Sequence, residues 1–363
     1  MRNGASVHRV DIIDELCRLA TKHGASDLFL RAGRVPQFRV QNQLMTAGET
    51  PLAPEVLDGF WNQCGAAPDA LDYDASHVDS AGSRFRVNFY RSLLERGAVL
   101  RPIKTVVPGL ADLGLPVDLL TSWMMRRSGI LLVCGPAGAG KSTTLASCLD
   151  WLNRNHARHV VTIEDPIEYL FRPELCLFTQ REVGIDTPSF AEGLRRSLRQ
   201  SPDVILLGEI RDGPSAVTAL QAAETGHLVL ATVHSSTVFD ALERLGRLFD
   251  ADERSGVFFV LSQQLVGILC QRLVGAADEP RVLAVEHFEN QAVTRKWILE
   301  GKFRELADFI SRGDNPANVT LLQSLVALVK SGRLSEAAAA QVTPNPQELQ
   351  RQLRGIGSTL RVS

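Results

Sequence analysis

The sequence predicts an α/β protein in two parts, a small α+β domain followed by a larger domain built on a parallel sheet. Three observations predict it. An apolar run at residues 129–134 passes through a glycine-rich loop straight into a helical run at 142–153. Further short apolar runs at 160–163, 204–207 and 228–233 alternate with helical segments, the pattern of strands with helices packed over both faces. Between the two parts, residues 107–116 (VPGLADLGLP) have the proline and glycine content of a linker. The expected organisation is a domain at 1–104, a linker at 105–116 and a domain at 117–363 that turns helical from about residue 290.

In chain order, residues 10–22 place Ile12, Ile13, Leu16, Leu19 and Ala20 at helical spacing, so one face of a first helix is expected to be buried. Residues 27–30, 37–40 and 84–89 alternate apolar with polar, and Gly and Pro punctuate the gaps, which reads as half-buried strands. After residue 258 the pattern is mostly helical, the stretch around Cys270 included, with a strand-like run at 282–288. The alanines at 337–340 are good helix formers.

Composition narrows the class of protein. A chain of 363 residues is long enough for two domains, and 45% apolar with 22% charged residues is ordinary for a globular protein. The net charge of -2 gives no general attraction to nucleic acid or anionic lipid, and no nucleic acid is expected as a partner. The basic strip Arg195, Arg196 and Arg199 reads as a solvated helix face. The 6 cysteines (Cys17, Cys64, Cys134, Cys148, Cys176, Cys270) form no C-x-x-C pair, which argues against a zinc ribbon or a disulfide framework. Cys134 and Cys270 read as core residues in a reducing compartment. Asp11, Asp14 and Glu15 near the start, with no apolar run of secretory or membrane-spanning type, lead to the expectation of a cytoplasmic protein.

Residues 135–142 read GPAGAGKS, which fits G-x-x-x-x-G-K-[ST] between a buried strand and a helix. Gly135, Pro136, Ala137, Gly138, Ala139 and Gly140 form a loop whose glycines let backbone N–H groups converge on phosphate oxygens. The helix N-terminus adds partial positive charge. Lys141 is expected to reach the β- and γ-phosphates of ATP, Ser142 to coordinate Mg²⁺, and Thr143 to complete the set.

Hydrolysis also needs a group that positions or activates water. In SPDVILLGE (201–209), Glu209 lies just beyond a buried strand, on the edge where open α/β sheets bind ligands. The usual Walker-B aspartate position is Gly208, so Glu209 is expected to carry that role alone. In TIEDPIE (162–168), Glu164 is placed to touch the metal directly or through its waters. A lone carboxylate would more simply be a surface ion pair, but two acidic clusters ending strand-like runs favour function. In ETGHLVLATVH (224–234), His227 begins a strand and His234 ends it; His234 is the candidate γ-phosphate sensor, and for His227 both a structural and a functional role stay open.

Together, GPAGAGKST, TIEDPIEY, PDVILLGEIRD and AAETGHLVLATVHSS resemble the Walker A, Asp box, Walker B and His box of the type II/type IV secretion ATPase family (the GspE/PulE superfamily). The chain looks most like that family's PilT group of pilus-retraction motors. ASDLFL (25–30), RFRVNF (84–89), QREVG (180–184) and TLLQSL (320–325) extend the likeness nearly end to end. The resemblance implies a PAS-like N-terminal domain, a RecA-like ATPase domain and a homohexamer. It places that ring at the cytoplasmic face of an inner-membrane pilus or secretion platform. It also implies arginines of the first domain that approach the nucleotide, and Arg86, Arg96 and Arg101 match that region. A guanidinium there would offset transition-state charge.

Assembly and secretion motors typically carry an extra N-terminal domain and often a four-cysteine zinc module, and neither is expected here. Two departures from the retraction pattern stand out. VTRKWI (293–298) occupies the place of AIRNLI, keeping Arg295 and Ile298, and Phe29 replaces the histidine of SDLHL. The expected function is a hexameric ATPase motor for type IV pilus retraction. The alternatives are a type IV (DotB-like) or type II secretion ATPase and, from another class, a RecA-like DNA-dependent ATPase. The weak net charge and the lack of an aromatic-basic strand-binding stretch speak against the last.

Overall fold

The computed structural model describes residues 4–41, 43–275, 281–313, 315–343 and 345–355, which divide into two compact units. The first holds Met1–Thr105 with Pro166–Leu170, and the second Val106–Asp165 with Phe171–Ser363.

In the first unit the elements run α1 (Gly4–Lys22), β1 (Asp27–Arg31), β2 (Gln37–Val40), β3 (Gln43–Thr46), α2 (Pro54–Gln63), β4 (Asp72–Val78), β5 (Arg84–Ser92) and β6 (Glu95–Pro102). The strands form one antiparallel sheet in the order β3-β2-β1-β6-β5-β4. The alternation in β5 does what its period requires: Phe85, Val87 and Phe89 are fully buried under Trp61 of α2, while Arg84, Arg86 and Asn88 face the other way. The buried stripe of α1 is Ile13, Leu16, Cys17 and Ala20, and Ile12 is 42% exposed. That corrects the expected face by one position, because the i, i+3, i+4, i+7 set starts at residue 13.

The second unit begins with a 3₁₀ turn and α3 (Val117–Met124), then β7 (Gly129–Cys134), α4 (Lys141–Asn155), β8 (His159–Glu164) and β9 (Leu177–Glu182). It continues through α5 (Phe190–Ser197), β10 (Val204–Leu207), α6 (Gly213–Glu224), β11 (Leu228–Val233), α7 (Val238–Arg247) and α8 (Ala251–Gln264). Next come β12 (Leu265–Val274), β13 (Val282–Glu289), α9 (Ala292–Leu299), α10 (Phe303–Ser311), α11 (Leu321–Lys330), α12 (Glu336–Val342) and α13 (Pro346–Leu353). The sheet order is β13-β12-β7-β11-β10-β8-β9, parallel throughout except for β13, which runs antiparallel to β12.

Successive residues of β7 feed opposite sides of this sheet. Ile130, Leu132 and Cys134 join the cluster under α5–α8, whereas Leu131 and Val133 join the one under α3 and α4. A strand buried on both faces must be apolar at every position, which is why this run was legible.

Two expectations change here. Cys270 lies on strand β12, opposite Cys134 of β7, and not on a helix. A short unbroken apolar run buried on both sides carries no period by which strand and helix could be told apart. Both cysteines are buried free thiols, as expected, and burial pushes the Cys270 thiol well above its usual range. The stretch 105–116, expected as a linker, is packed: Leu110 and Leu115 are buried among α3 and α4 residues, and Ser147 Oγ donates to the Pro108 carbonyl at 2.7 Å.

Trp123 anchors that side of the sheet, fully buried, with Nε1 3.3 Å from Glu289 Oε1. Trp123→Ala is expected to lower unfolding free energy by about 3–5 kcal/mol through the cavity it leaves, read as a drop in the denaturation midpoint.

Candidate nucleotide site

Parallel pairing sets the site. Val233 is in register with Cys134, and Leu207 with both Ala231 and Ile163, so β7, β8, β10 and β11 all end at one edge of the sheet. The phosphate loop, Glu164, Glu209 and His234 leave from that edge.

The loop after β7 is shaped by its glycines. Gly135 has φ 147°, and a Cβ there would sit 2.5 Å from the Gln271 carbonyl oxygen, so only glycine lets the loop start against β12. Gly138 and Gly140 take φ 73° and 88°, a left-handed backbone that favours glycine, and an added Cβ at either would meet nothing within 4 Å. α4 starts at Lys141 with Gly140 as a cap that offers no side chain, and the helix's positive end faces the loop. Lys141 is 9% exposed and its Nζ donates to the carbonyls of Gly135 and Pro136, each at 3.0 Å. A cation, a glycine-opened backbone and a helix N-terminus together suit an anion with several oxygens.

Across the edge, β11 lies between β7 and the Glu209 strand β10. Two strand spacings put Glu209 about 10 Å from the loop strand, room for a terminal phosphate and a water between them. Glu209 has a 13% exposed side chain; its Oε2 accepts from Arg211 Nε at 2.7 Å and its Oε1 lies 3.3 Å from His234 Nε2. The second arm of Arg211, Nη1, donates to Asp165 Oδ2 at 3.2 Å. The hydrogen bond to Glu209 pushes the Arg211 guanidinium up from its usual pKa, so it is a firm cation. Glu164 ends β8 and is 8% exposed.

Gly208 sits close against β8: a Cβ there would stand 3.2 Å from the Ile163 carbonyl and 3.3 Å from the Glu164 Cα, so a side chain at this position would press on the backbone of the neighbouring strand. Thr232 Oγ1 also donates to the Gly208 carbonyl at 2.5 Å, locking the strand end in place.

The two histidines separate cleanly. His227 precedes β11, at the end away from the site, and its Nδ1 is 2.9 Å from the Ala222 carbonyl and 3.2 Å from Thr225 Oγ1. These contacts tie it to the C-terminus of α6. His234 follows β11 at the site edge, beside Glu209.

Three residues with no role expected from the sequence help to hold this edge. Arg211 and Asp165 meet only because β8 and β10 pair in register. Gln271, 3% exposed on β12, donates from Nε2 to Thr144 Oγ1 at 2.7 Å and so braces α4; it sat inside the run read as helical. The three candidate arginines of the first unit, Arg86, Arg96 and Arg101, each hold a local carboxylate. Arg86 pairs with Asp74 at 3.6 Å, Arg101 with Asp27 at 2.7 Å and Arg96 with Asp58 at 2.7 Å. Arg96 also donates to the Pro68 carbonyl and lies over the Trp61 ring.

A phosphate loop on a parallel sheet, with a carboxylate ending the next strand but one, defines a RecA-like P-loop nucleoside triphosphatase. Residues 76–301 match the family model described as type II/IV secretion system protein, and the chain belongs to that family. Among curated relatives it is 37% identical over 330 residues to the type IV pilus ATPase PilU of Pseudomonas aeruginosa, covering 89% of this chain and 86% of that one. It is 36% identical over 342 residues to the type IV pilus retraction ATPase PilT of the same organism, covering 92% of this chain and 99% of PilT. The crystal structure of the pilus retraction motor PilT with bound ADP superposes with a TM-score of 0.84 at 36% identity, over 93% of this chain and 99% of that one.

Proposed function

We propose that the protein is an ATP-hydrolysing motor that drives type IV pilus retraction as a homohexamer at the cytoplasmic face of the inner membrane. The observation that carries the chemistry is the placement of Glu209, with His234 beside it, two strands from the phosphate loop. Lys141 and the loop backbone bind and orient the β- and γ-phosphates, and Glu209 accepts a proton from the attacking water. His234, at the same carboxylate oxygen, senses the terminal phosphate. Ser142 and Glu164 are the oxygen donors that would hold Mg²⁺, directly or through its waters, and the ion would neutralise charge on the phosphates.

Several features support the retraction reading. PilT is matched over nearly its whole length, and the chain's likeness to PilU is of the same order. The departure at 293–298 is mild in structural terms: it forms α9, where the retained Ile298 is fully buried and the altered Val293 is 52% exposed. In a ring, arginines of one subunit would serve the nucleotide of the next. Arg101, with 67% of its side chain exposed, suits that role better than Arg96, at 17%. No helix among the described residues is long and apolar enough to cross a membrane, so the proposed membrane association runs through a platform protein.

Deleting the gene and counting surface pili tests the direction of work. Excess pili that do not retract are expected. Bald cells would point to assembly instead, and unchanged pili with lost export to a secretion machine.

A further inference from the structure

We propose that Arg211 is a positioning residue for Glu209, holding one carboxylate oxygen so that the other alone meets the water. This rests on the reading of Glu209 as the proton acceptor. Arg211 Nε occupies Glu209 Oε2 at 2.7 Å, which leaves Oε1, the oxygen 3.3 Å from His234 Nε2. A carboxylate with neither oxygen tied rotates about its terminal bond and presents either one; a donor on Oε2 removes that freedom.

Arg211 is itself fixed from elsewhere. Its Nη1 reaches Asp165 Oδ2 at 3.2 Å, just past the end of β8, and its guanidinium lies 5.7 Å from the Phe190 ring centroid of α5. An isolated pair on a half-exposed arginine would contribute little. Here the two arms of one rigid fork join the ends of two strands, and the Glu209 side chain they orient is 13% exposed. A lysine has one point of charge and cannot span both carboxylates in the same plane.

During turnover the water oxygen bonds the γ-phosphorus as the bond to the bridging oxygen breaks. The water's proton passes to Oε1 and leaves with the phosphate product. Arg211 touches none of the reacting atoms. It sets which oxygen faces them, and it keeps Oε2 from competing for the proton.

The test compares R211A, R211K, D165N, R211A/D165N and E209Q in the full chain. The readouts are ATPase rate, affinity for a non-hydrolysable ATP analogue, melting temperature and assembly state. R211A is expected to lose about 10- to 100-fold in kcat, the usual cost of removing a group that orients another, with affinity, melting temperature and assembly unchanged. R211K should recover part of the loss. D165N should slow the parent enzyme but add nothing to R211A, because it acts only through that arginine. A parent-like kcat in R211A overturns the proposal, as do losses that track melting temperature or assembly, or additive losses in the double variant. If E209Q is inactive while R211A runs at the parent rate, this inference alone fails. If E209Q itself turns over normally, the underlying reading fails first.

Discussion

Glu209→Gln is expected to bind ATP with near-parent affinity and to lose about 10²- to 10⁴-fold in turnover, the contribution of a positioned general base. The amide is nearly the same size as the carboxylate, and its oxygen can still accept from Arg211 Nε, so the strand end at Gly208–Glu209 has no reason to move. What the amide lacks is a basic oxygen, so the proton of the water has nowhere to go. The loss corresponds to roughly 3–5 kcal/mol of transition-state stabilisation with none taken from ground-state binding. Phosphate release measured beside equilibrium binding of a labelled nucleotide separates the two. Near-normal turnover would remove Glu209 from the mechanism. Weakened binding would mean that its charge serves the nucleotide instead.

The parts of this site that were legible in the sequence share one property: their chemistry is carried by neighbours in the chain. The phosphate loop spans 135–142, and Glu209 follows its own buried strand directly. The order β7-β11-β10, which turns a nearby carboxylate into one spaced for a water, is a product of sheet pairing and leaves no local trace. The same holds for Arg211 and Asp165, which are joined only when Leu207 pairs with Ile163. His227 and His234 show the limit sharply. Both flank the same apolar run, and only the direction of β11 in the sheet sends one to the nucleotide edge and the other to a helix end. In the first unit, β3 was missed because all four of its residues are exposed and no face alternates, and α2 because Gly59 sits inside it and no side chain caps its N-terminus.

Lys141→Ala is expected to act on the other half of the cycle, weakening nucleotide binding itself by about 10²-fold. Each charge-assisted hydrogen bond from an ammonium to phosphate contributes about 1.5–3 kcal/mol, and a tenfold change in Kd is about 1.4 kcal/mol. Lys141 also shapes the loop from within, because its Nζ bonds the Gly135 and Pro136 carbonyls at 3.0 Å each. The alanine variant therefore loses both the cation that meets the phosphates and a brace on the turn that presents the amides. Lys141→Arg should not restore affinity: the guanidinium keeps the charge, but its planar fork does not fit a 9% exposed position shaped around a single ammonium. Calorimetric titration with ADP gives the affinity directly, and the nucleotide-induced rise in melting temperature should shrink with it, while loss of the brace lowers the ligand-free value only slightly. Parent-like affinity in the alanine variant would leave the loop backbone and helix N-terminus as the whole of the binding site. A large fall in the ligand-free melting temperature would instead assign Lys141 to the fold. Read with Glu209→Gln, the pair divides the motor's cycle at its two chemical steps, capture of the phosphates by the loop and transfer of the water's proton two strands away.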